Sequence, residues 1–329
     1  MATMTGSGSR KVTRHDVAQH AGVSDAVVSY TLNGGPPVAP ATAARVRESV
    51  RLLGYMPNAA ARALKLGSAH LIGIIVPDST NPFWAELCHA VEKFARSRGY
   101  AVLVVNTDDD RTLVFEYLQS LASRQVDGVL VAGSLVETDV RQLSALGVRW
   151  AVLNMSATVA GVTGTGVDLA AGARVATEHL ISHGNTRIGF VGTPAEARHT
   201  GWRQALADAG LPEGPVFAST FDRAGGYAAG QMVASAHEEL DAVFVSSDMV
   251  ATGVLRALHE ASLAVPGDVA IVSFDGSPES EYSWPALTTL RQPIDELARL
   301  AVEQLLNQST GTESRILGEL VIRQSCGCP

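Results

Sequence analysis

From residue 70 to its end, the chain alternates short apolar runs with longer amphipathic stretches. The apolar runs at 71–76, 101–106, 128–132, 150–154, 188–192, 242–246 and 269–274 are expected strands. The stretches at 83–98, 113–124, 170–182, 225–235, 249–261 and 294–307 carry helical periodicity. A strand–helix alternation of this kind predicts parallel sheets, because a parallel connection needs a long crossover. Two such sets fit two lobes with a cleft between them. In open α/β sheets a ligand binds beyond the carboxyl ends of the strands.

The first 65 residues read differently. They hold eight basic side chains against three acidic ones, a net of +5; the whole chain carries −8, so the other 264 residues carry −13. A basic head on an acidic body is the charge pattern of a nucleic-acid-binding module joined to a module of another kind. Within the head, Thr13 and Asp16 have capping-box spacing, and Val17, Ala18 and Ala21 make a short apolar face. Gly22 supplies the positive φ of a tight turn, and Ser24 caps a second helix whose Val27, Val28 and Thr31 turn inward. A third helix over 41–53 covers the pair with Val46, Val50 and Leu53, and Gly54 ends it. Two short helices around a glycine turn are a helix-turn-helix or, more blandly, a helical hairpin.

Other chemistry finds little support. No GxGxxG opens a helix after a strand, and the P-loop, GxSxG and HExxH patterns are absent. That speaks against an enzyme and leaves no cofactor to expect. No run of about 18 apolar residues suggests a membrane span. The Gly/Ser/Thr-rich start lacks the apolar core of a secretory signal and reads as a floppy tail. Cys88, Cys326 and Cys328 are too few for a disulfide framework, which suits a reducing cytoplasm. His179 and His183 stand four apart on one expected helix, a possible metal pair with no third ligand in view. Cys326 and Cys328 form a CxC whose bland reading is incidental, with redox sensing or metal binding as alternatives. No metal site is expected.

The spaced pattern DVAxxAGVSxxxVSxxLN from Asp16 to Asn33, followed by YxPNxxARxLK from Tyr55 to Lys65, resembles the lactose/purine repressor (LacI/GalR) family. PDSTNPFW, RQVDGVLV, HLISHGNTRIGFVG, VFVSSDMVATGVL, VPGDVAIVSFD, PALTTLRQP and ELVIRQS extend the likeness along the body. The fold this implies is an all-α helix-turn-helix headpiece plus a periplasmic-binding-protein-like, two-lobed parallel-sheet domain. The implied organisation is a tail (1–11), headpiece (12–58), hinge helix and linker (59–69) and effector domain (70–329). Its lobes would be 70–167 with 291–318, and 168–290 with 319–329.

The resemblance also implies roles. A cytoplasmic homodimer would grip palindromic double-stranded operator DNA under control of a small-molecule effector. Base readers would fall on Asp25, Ala26 and Tyr30, where Tyr30 replaces the family's frequent basic residue and Asp25 could instead be an exposed cap-like acid. Thr13, Ser24 and Ser29 would contact phosphates, and Asn33 and Asn58 complete the DNA set. Leu64 would wedge into the minor groove, flanked by Ala61 and Lys65. Effector contacts would fall on Asn81, Phe83, Trp84, Arg198, Phe221, Asp248, Asp275 and Gln292. Aromatic faces with charged hydrogen-bonding groups suit a sugar or related polyol. Phe83, Trp84 and Phe221 could also be core aromatics, Arg198 and Asp275 an interlobe ion pair, and Asp248 a helix cap. The loop before Arg198 is short in a way that disfavours a purine, and Trp284 is a candidate for the pocket wall. No leucine heptads follow ELVIRQS before Pro329, so a dimer is expected rather than a tetramer.

Overall fold

The computed structural model describes residues 11–56, 63, 67–133, 137–154, 162–194, 196–307 and 313–328. The hinge positions Asn58, Ala61, Leu64 and Lys65 lie outside them. The chain divides into two compact units, one to Ala69 and one from His70 onward.

The smaller unit holds three helices, α1 (Arg14–Ala21), α2 (Asp25–Asn33) and α3 (Pro40–Leu53). Each is delimited locally. Thr13 Oγ1 accepts from Asp16 N (3.4 Å) and Asp16 Oδ2 accepts from Thr13 N (2.8 Å), closing a capping box. Gly22 stops α1 at φ 65°, and Ser24 Oγ accepts from Val27 N (3.4 Å) to start α2. Pro40 opens α3 and Gly54, at φ 63°, ends it. Their shared core is small: Val17, Ala18, Ala21, Val28 and Val46 are buried, with Val12, Val23, Leu32, Val50 and Leu53 packed around them. His20 Nδ1 lies 2.9 Å from Ser49 Oγ, joining α1 to α3.

The larger unit contains two six-stranded sheets. The first runs β11 (Glu313–Ile316), β5 (Gly164–Val167), β4 (Trp150–Leu153), β3 (Gly128–Ala132), β1 (Leu71–Val76) and β2 (Ala101–Asn106), all parallel. The second runs β12 (Glu319–Val321), β10 (Thr288–Arg291), β9 (Ala270–Asp275), β8 (Ala242–Val245), β6 (Ile188–Gly192) and β7 (Val216–Ala218). It is parallel except that β12 pairs antiparallel with β10. Crossover helices are α4 (Pro82–Ser97), α5 (Thr112–Ser123), α6 (Glu137–Ala145), α7 (Leu169–Ser182), α8 (Ala197–Asp208), α9 (Arg223–Ser235), α10 (Asp248–Glu260), α11 (Pro278–Tyr282) and α12 (Ile294–Leu306).

The chain leaves the first sheet after β5, returns after β10 to form α12 and β11, and passes back to the second sheet at β12. Those crossings lie together: Asp168 N donates to Ile316 O (3.1 Å), and a Cβ on Gly318 would stand 2.8 Å from Arg291 O.

Two helix contacts depend on glycine because backbone meets backbone. A Cβ at Gly253 of α10 would lie 2.3 Å from Arg223 O on α9, and one at Gly226 would lie 2.1 Å from Val250 O. No side chain yields to relieve such a clash. Gly253→Ala is therefore expected to force α9 from α10 and destabilise the larger unit by about 1–3 kcal/mol, read by chemical denaturation. An unchanged midpoint would mean the helices tolerate separation.

Candidate functional site

The carboxyl ends of the two sheets face a cleft of about 600 Å³, within the usual range of roughly 300–1,000 Å³ for small-molecule sites. The first sheet contributes Asp78 and Asn81 after β1, Thr107 and Asp109 after β2, Gly133 after β3 and Asn154 after β4. The second contributes Glu196 and Arg198 after β6, Phe221 after β7 and Asp275 at the end of β9.

The sequence places several of these side chains directly. Asn81 caps α4, its Oδ1 accepting from Phe83 N (3.0 Å), and Pro82 occupies the first helical turn. The cap holds Phe83 and Trp84 at the cleft edge, edge-to-face with centroids 4.9 Å apart. Phe83 is both core and cleft wall. Arg198 lies in the first turn of α8, with its guanidinium carbon 5.3 Å from the Phe221 ring centre and 5.0 Å from that of Phe274. Both distances suit a cation–π contact. Arg198 Nη1 also donates to Glu196 Oε2 (2.7 Å). Arg198 and Asp275 both belong to the second sheet's lobe, so they are no ion pair across the lobes.

Three buried polar atoms on this wall have no hydrogen-bond partner among the described residues: Asn154 Oδ1, Glu196 Oε1 and Arg198 Nε. A buried polar atom left unpaired costs about 1–3 kcal/mol. All three belong to residues that line the cleft.

Asp275 closes the floor. Its backbone sits at φ 112°, a conformation that non-glycine residues rarely adopt and that costs about 1–3 kcal/mol. Gln292 holds it there twice, through N–H to the Asp275 carbonyl (3.0 Å) and through Nε2 to Oδ1 (2.8 Å). Burial pushes the Asp275 carboxyl up to about 7; Arg198 opposes the rise and the Asp248 carboxylate adds to it.

Asp248 and Gln292, expected to touch an effector, are not on the cleft wall. Asp248 is fully buried beneath it and accepts from Ser273 Oγ (2.6 Å), Thr289 Oγ1 (2.7 Å), Ser277 N (2.7 Å) and Ser277 Oγ (3.0 Å). It is no side-chain cap of α10 either, since its oxygens accept from Ser273, Thr289 and Ser277 instead. Gln292 is the brace of Asp275. Trp284 is 88% exposed and forms no part of the pocket wall. Its place between α11 and β10 turns it to solvent. Asn154 and Glu196 went unnoticed in the sequence. The signal available was a polar residue at the carboxyl end of an apolar run, and an acid two residues before the helix-opening arginine.

In the smaller unit, Thr13, Ser24, Asp25, Ala26 and Tyr30 are exposed, as is Asn33. Asp25 Oδ1 lies 3.2 Å from His15 Nδ1. Ser29 is buried to 9% exposure on the face shared with Val28, and its hydroxyl accepts from Asn33 Nδ2 (3.4 Å); it does not stand on the exposed face with Asp25 and Tyr30. No helix among the described residues is long and apolar enough to cross a membrane. Away from the cleft, His179, His183, Cys326 and Cys328 come together, so the cysteines do have histidine partners.

Comparison with known proteins covers nearly the whole chain. Residues 13–58 match the lacI family of bacterial regulatory proteins, and 177–326 match a periplasmic binding protein-like domain. The ribose operon repressor of Escherichia coli strain K12 is 34% identical over 312 residues, covering 91% of this chain and 93% of that protein. The fold of the lac repressor dimer bound to operator and the anti-inducer ONPF superposes with a TM-score of 0.86 at 24% identity, covering 96% of this chain and 99% of that one. A LacI family regulator from Enterococcus faecium with bound ribose gives a TM-score of 0.69 at 29% identity, covering 78% and 98%.

The floor carboxyl makes stability depend on pH in a predictable direction. With its folded value raised above the ordinary 3.8, Asp275 favours the fold while protonated; that contribution is complete below about pH 4 and lost as pH rises through about 7. Asn at this position never ionises. The melting-temperature difference between Asp275→Asn and wild type is expected to move in the variant's favour from pH 4 to 7. A difference independent of pH would show that Asp275 ionises normally.

Proposed function

The chain belongs to the lacI family of bacterial regulatory proteins, and on that premise we propose that it is a transcriptional repressor whose grip on DNA is set by a neutral sugar in the cleft. The observation that carries the ligand class is the lining. Asn154, Glu196 and Arg198, each with one unpartnered polar atom among the described residues, line the same cleft as Trp84 and Phe221. Hydroxyls would pair with the first group and C–H faces would stack on the second.

Charge narrows the class further. Asp78, Asp109, Asp139, Glu196 and Asp275 face Arg111 and Arg198, and each arginine already pairs with a carboxylate: Arg111 with Asp139, Arg198 with Glu196. Burial and the neighbouring Asp78 and Asp108 raise the Asp109 carboxyl as well. A phosphorylated or carboxylated sugar would meet excess negative charge; a neutral monosaccharide would not. The ribose-bound regulator and the ribose operon repressor among the relatives favour pentoses.

On DNA, two copies of the chain would present paired headpieces to a palindromic operator. Asp25, Ala26 and Tyr30 would meet base edges, and Thr13 and Ser24 would meet phosphates. The hinge, 59–65, would meet the minor groove, with Leu64 wedged between base steps. Sugar binding would reset the separation of the two hinges through the lobes. The reading needs no catalytic step and places the protein in the cytoplasm with its operator.

A thermal-shift panel tests the ligand. A neutral pentose at 100 times its dissociation constant should add about 2.7 kcal/mol of stability, its 5-phosphate should add none, and Arg198→Ala should abolish the pentose response. A response confined to phosphorylated sugars or purines would overturn the charge argument.

Operator titrations test the hinge. Leu64→Ala is expected to weaken specific binding severalfold or more while leaving salt-dependent non-specific binding nearly unchanged. Equal operator affinities would remove the wedge.

A further inference from the structure

His179 lies in the last turn of α7 and His183, four residues on, caps its end, while Cys326 and Cys328 flank Gly327 in the segment after β12. About 145 residues separate the two pairs in sequence, yet their four ligand atoms lie within 4.8 Å of one another. Both imidazoles turn Nε2 toward sulfur: His179 Nε2 is 3.3 Å from Cys326 Sγ and 3.8 Å from Cys328 Sγ, and His183 Nε2 is 3.2 Å from Cys328 Sγ. Gly327, at φ 94°, supplies a backbone turn that L side chains rarely adopt, with Cys326 on one side beside His179 and Cys328 on the other beside both rings.

We propose that these four side chains form a structural binding site for a zinc-class divalent cation. Tetrahedral zinc holds sulfur at about 2.3 Å and imidazole nitrogen at about 2.0–2.1 Å, which sets ligand atoms roughly 3.3–3.8 Å apart. Three nitrogen–sulfur separations, 3.2, 3.3 and 3.8 Å, already stand at or beside that spacing, and closing the set from its 4.8 Å spread needs only a small shift. Two thiolates and two imidazoles in a closed set are the donor chemistry of tetrahedral zinc, not of hard cations such as magnesium or calcium. Four protein ligands leave no open position for water, so the site holds structure together and performs no reaction. Binding would release the two thiol protons.

The surroundings suit the role. Cys326 is buried, and Thr288 Oγ1 on β10 donates to its sulfur (3.0 Å), fixing the thiol from behind. His183 is exposed and Cys328 half-buried, so an ion can enter from solvent. A bound ion would pin the last residues of the chain to α7.

The test uses the full-length, untagged, reduced protein, stripped with chelator and titrated with Co²⁺ at pH 7.5. The expected result is one Co²⁺ per chain, with thiolate-to-cobalt charge transfer and the intense visible bands of a tetrahedral ion, all displaced by Zn²⁺. Zinc should raise the melting temperature by about 5–10 °C at saturation. Cys328→Ser and His183→Gln lie at the surface and should melt like wild type in chelator. Each should lose more affinity than the roughly 10–100-fold that removal of an outer-shell partner costs. Cobalt uptake well below one per chain would overturn the site, as would unchanged affinity in both variants. Reduced protein that takes up no metal but forms a Cys326–Cys328 disulfide in air would make the cluster a redox pair instead.

Discussion

A carboxylate buried away from solvent holds the cleft end of the second lobe together. Asp248 is fully buried, and burial pushes its carboxyl up to about 6. What makes its place tenable is four donors from three places: Ser273 on β9, Thr289 on β10, and the backbone and hydroxyl of Ser277 between them. Loss of any one leaves an acceptor stranded in apolar surroundings, which is costly. The network fixes β9 and β10 relative to the start of α10. From that base Gln292 reaches back from the end of β10 to hold Asp275 in its strained conformation. Cleft geometry is therefore decided one layer below the cleft.

That layering explains what the sequence revealed and what it hid. Long parallel strands such as β1 and β9 are buried nearly throughout and announce themselves as apolar runs. The strands β5, β7, β11 and β12 are three or four residues long at or near sheet edges, too brief for any period to show. Helix α6 is nine residues long and mostly polar, and its apolar stripe is no more than Val140 and Leu143. In the head, the capping box at Thr13 and the glycine stop at Gly22 are local chemistry and were legible as such. Among the cleft residues, Asn81, Trp84, Arg198, Phe221 and Asp275 could be placed by likeness to a family. Asp248 and Gln292 could not be told from ligand contacts, because a polar residue at a strand end reads the same whether it faces the ligand or braces its neighbour.

The histidine–cysteine cluster shows a stricter limit. Each half is visible in the sequence, an i, i+4 pair and a CxC, and each alone is unremarkable. Their meaning depends on β12 running antiparallel beside β10 and on α7 packing against the same edge. Helix α7 also links two regions: Leu169 at its first turn lines the cleft, and His179 lies in its last turn. Fourteen residues of helix span about 20 Å, so the cluster is remote from the cleft yet anchored to the same rigid rod.

Three stretches of backbone join the lobes, and they run side by side rather than at opposite ends. Mechanically this is a strap. A strap bends across its width but resists sliding and twisting, because sliding would shear the contact between Asp168 and Ile316 and the close approach of Gly318 to Arg291. The joint thus has one soft degree of freedom. Lobes joined in this way would hinge open and shut far more readily than they would slide past one another.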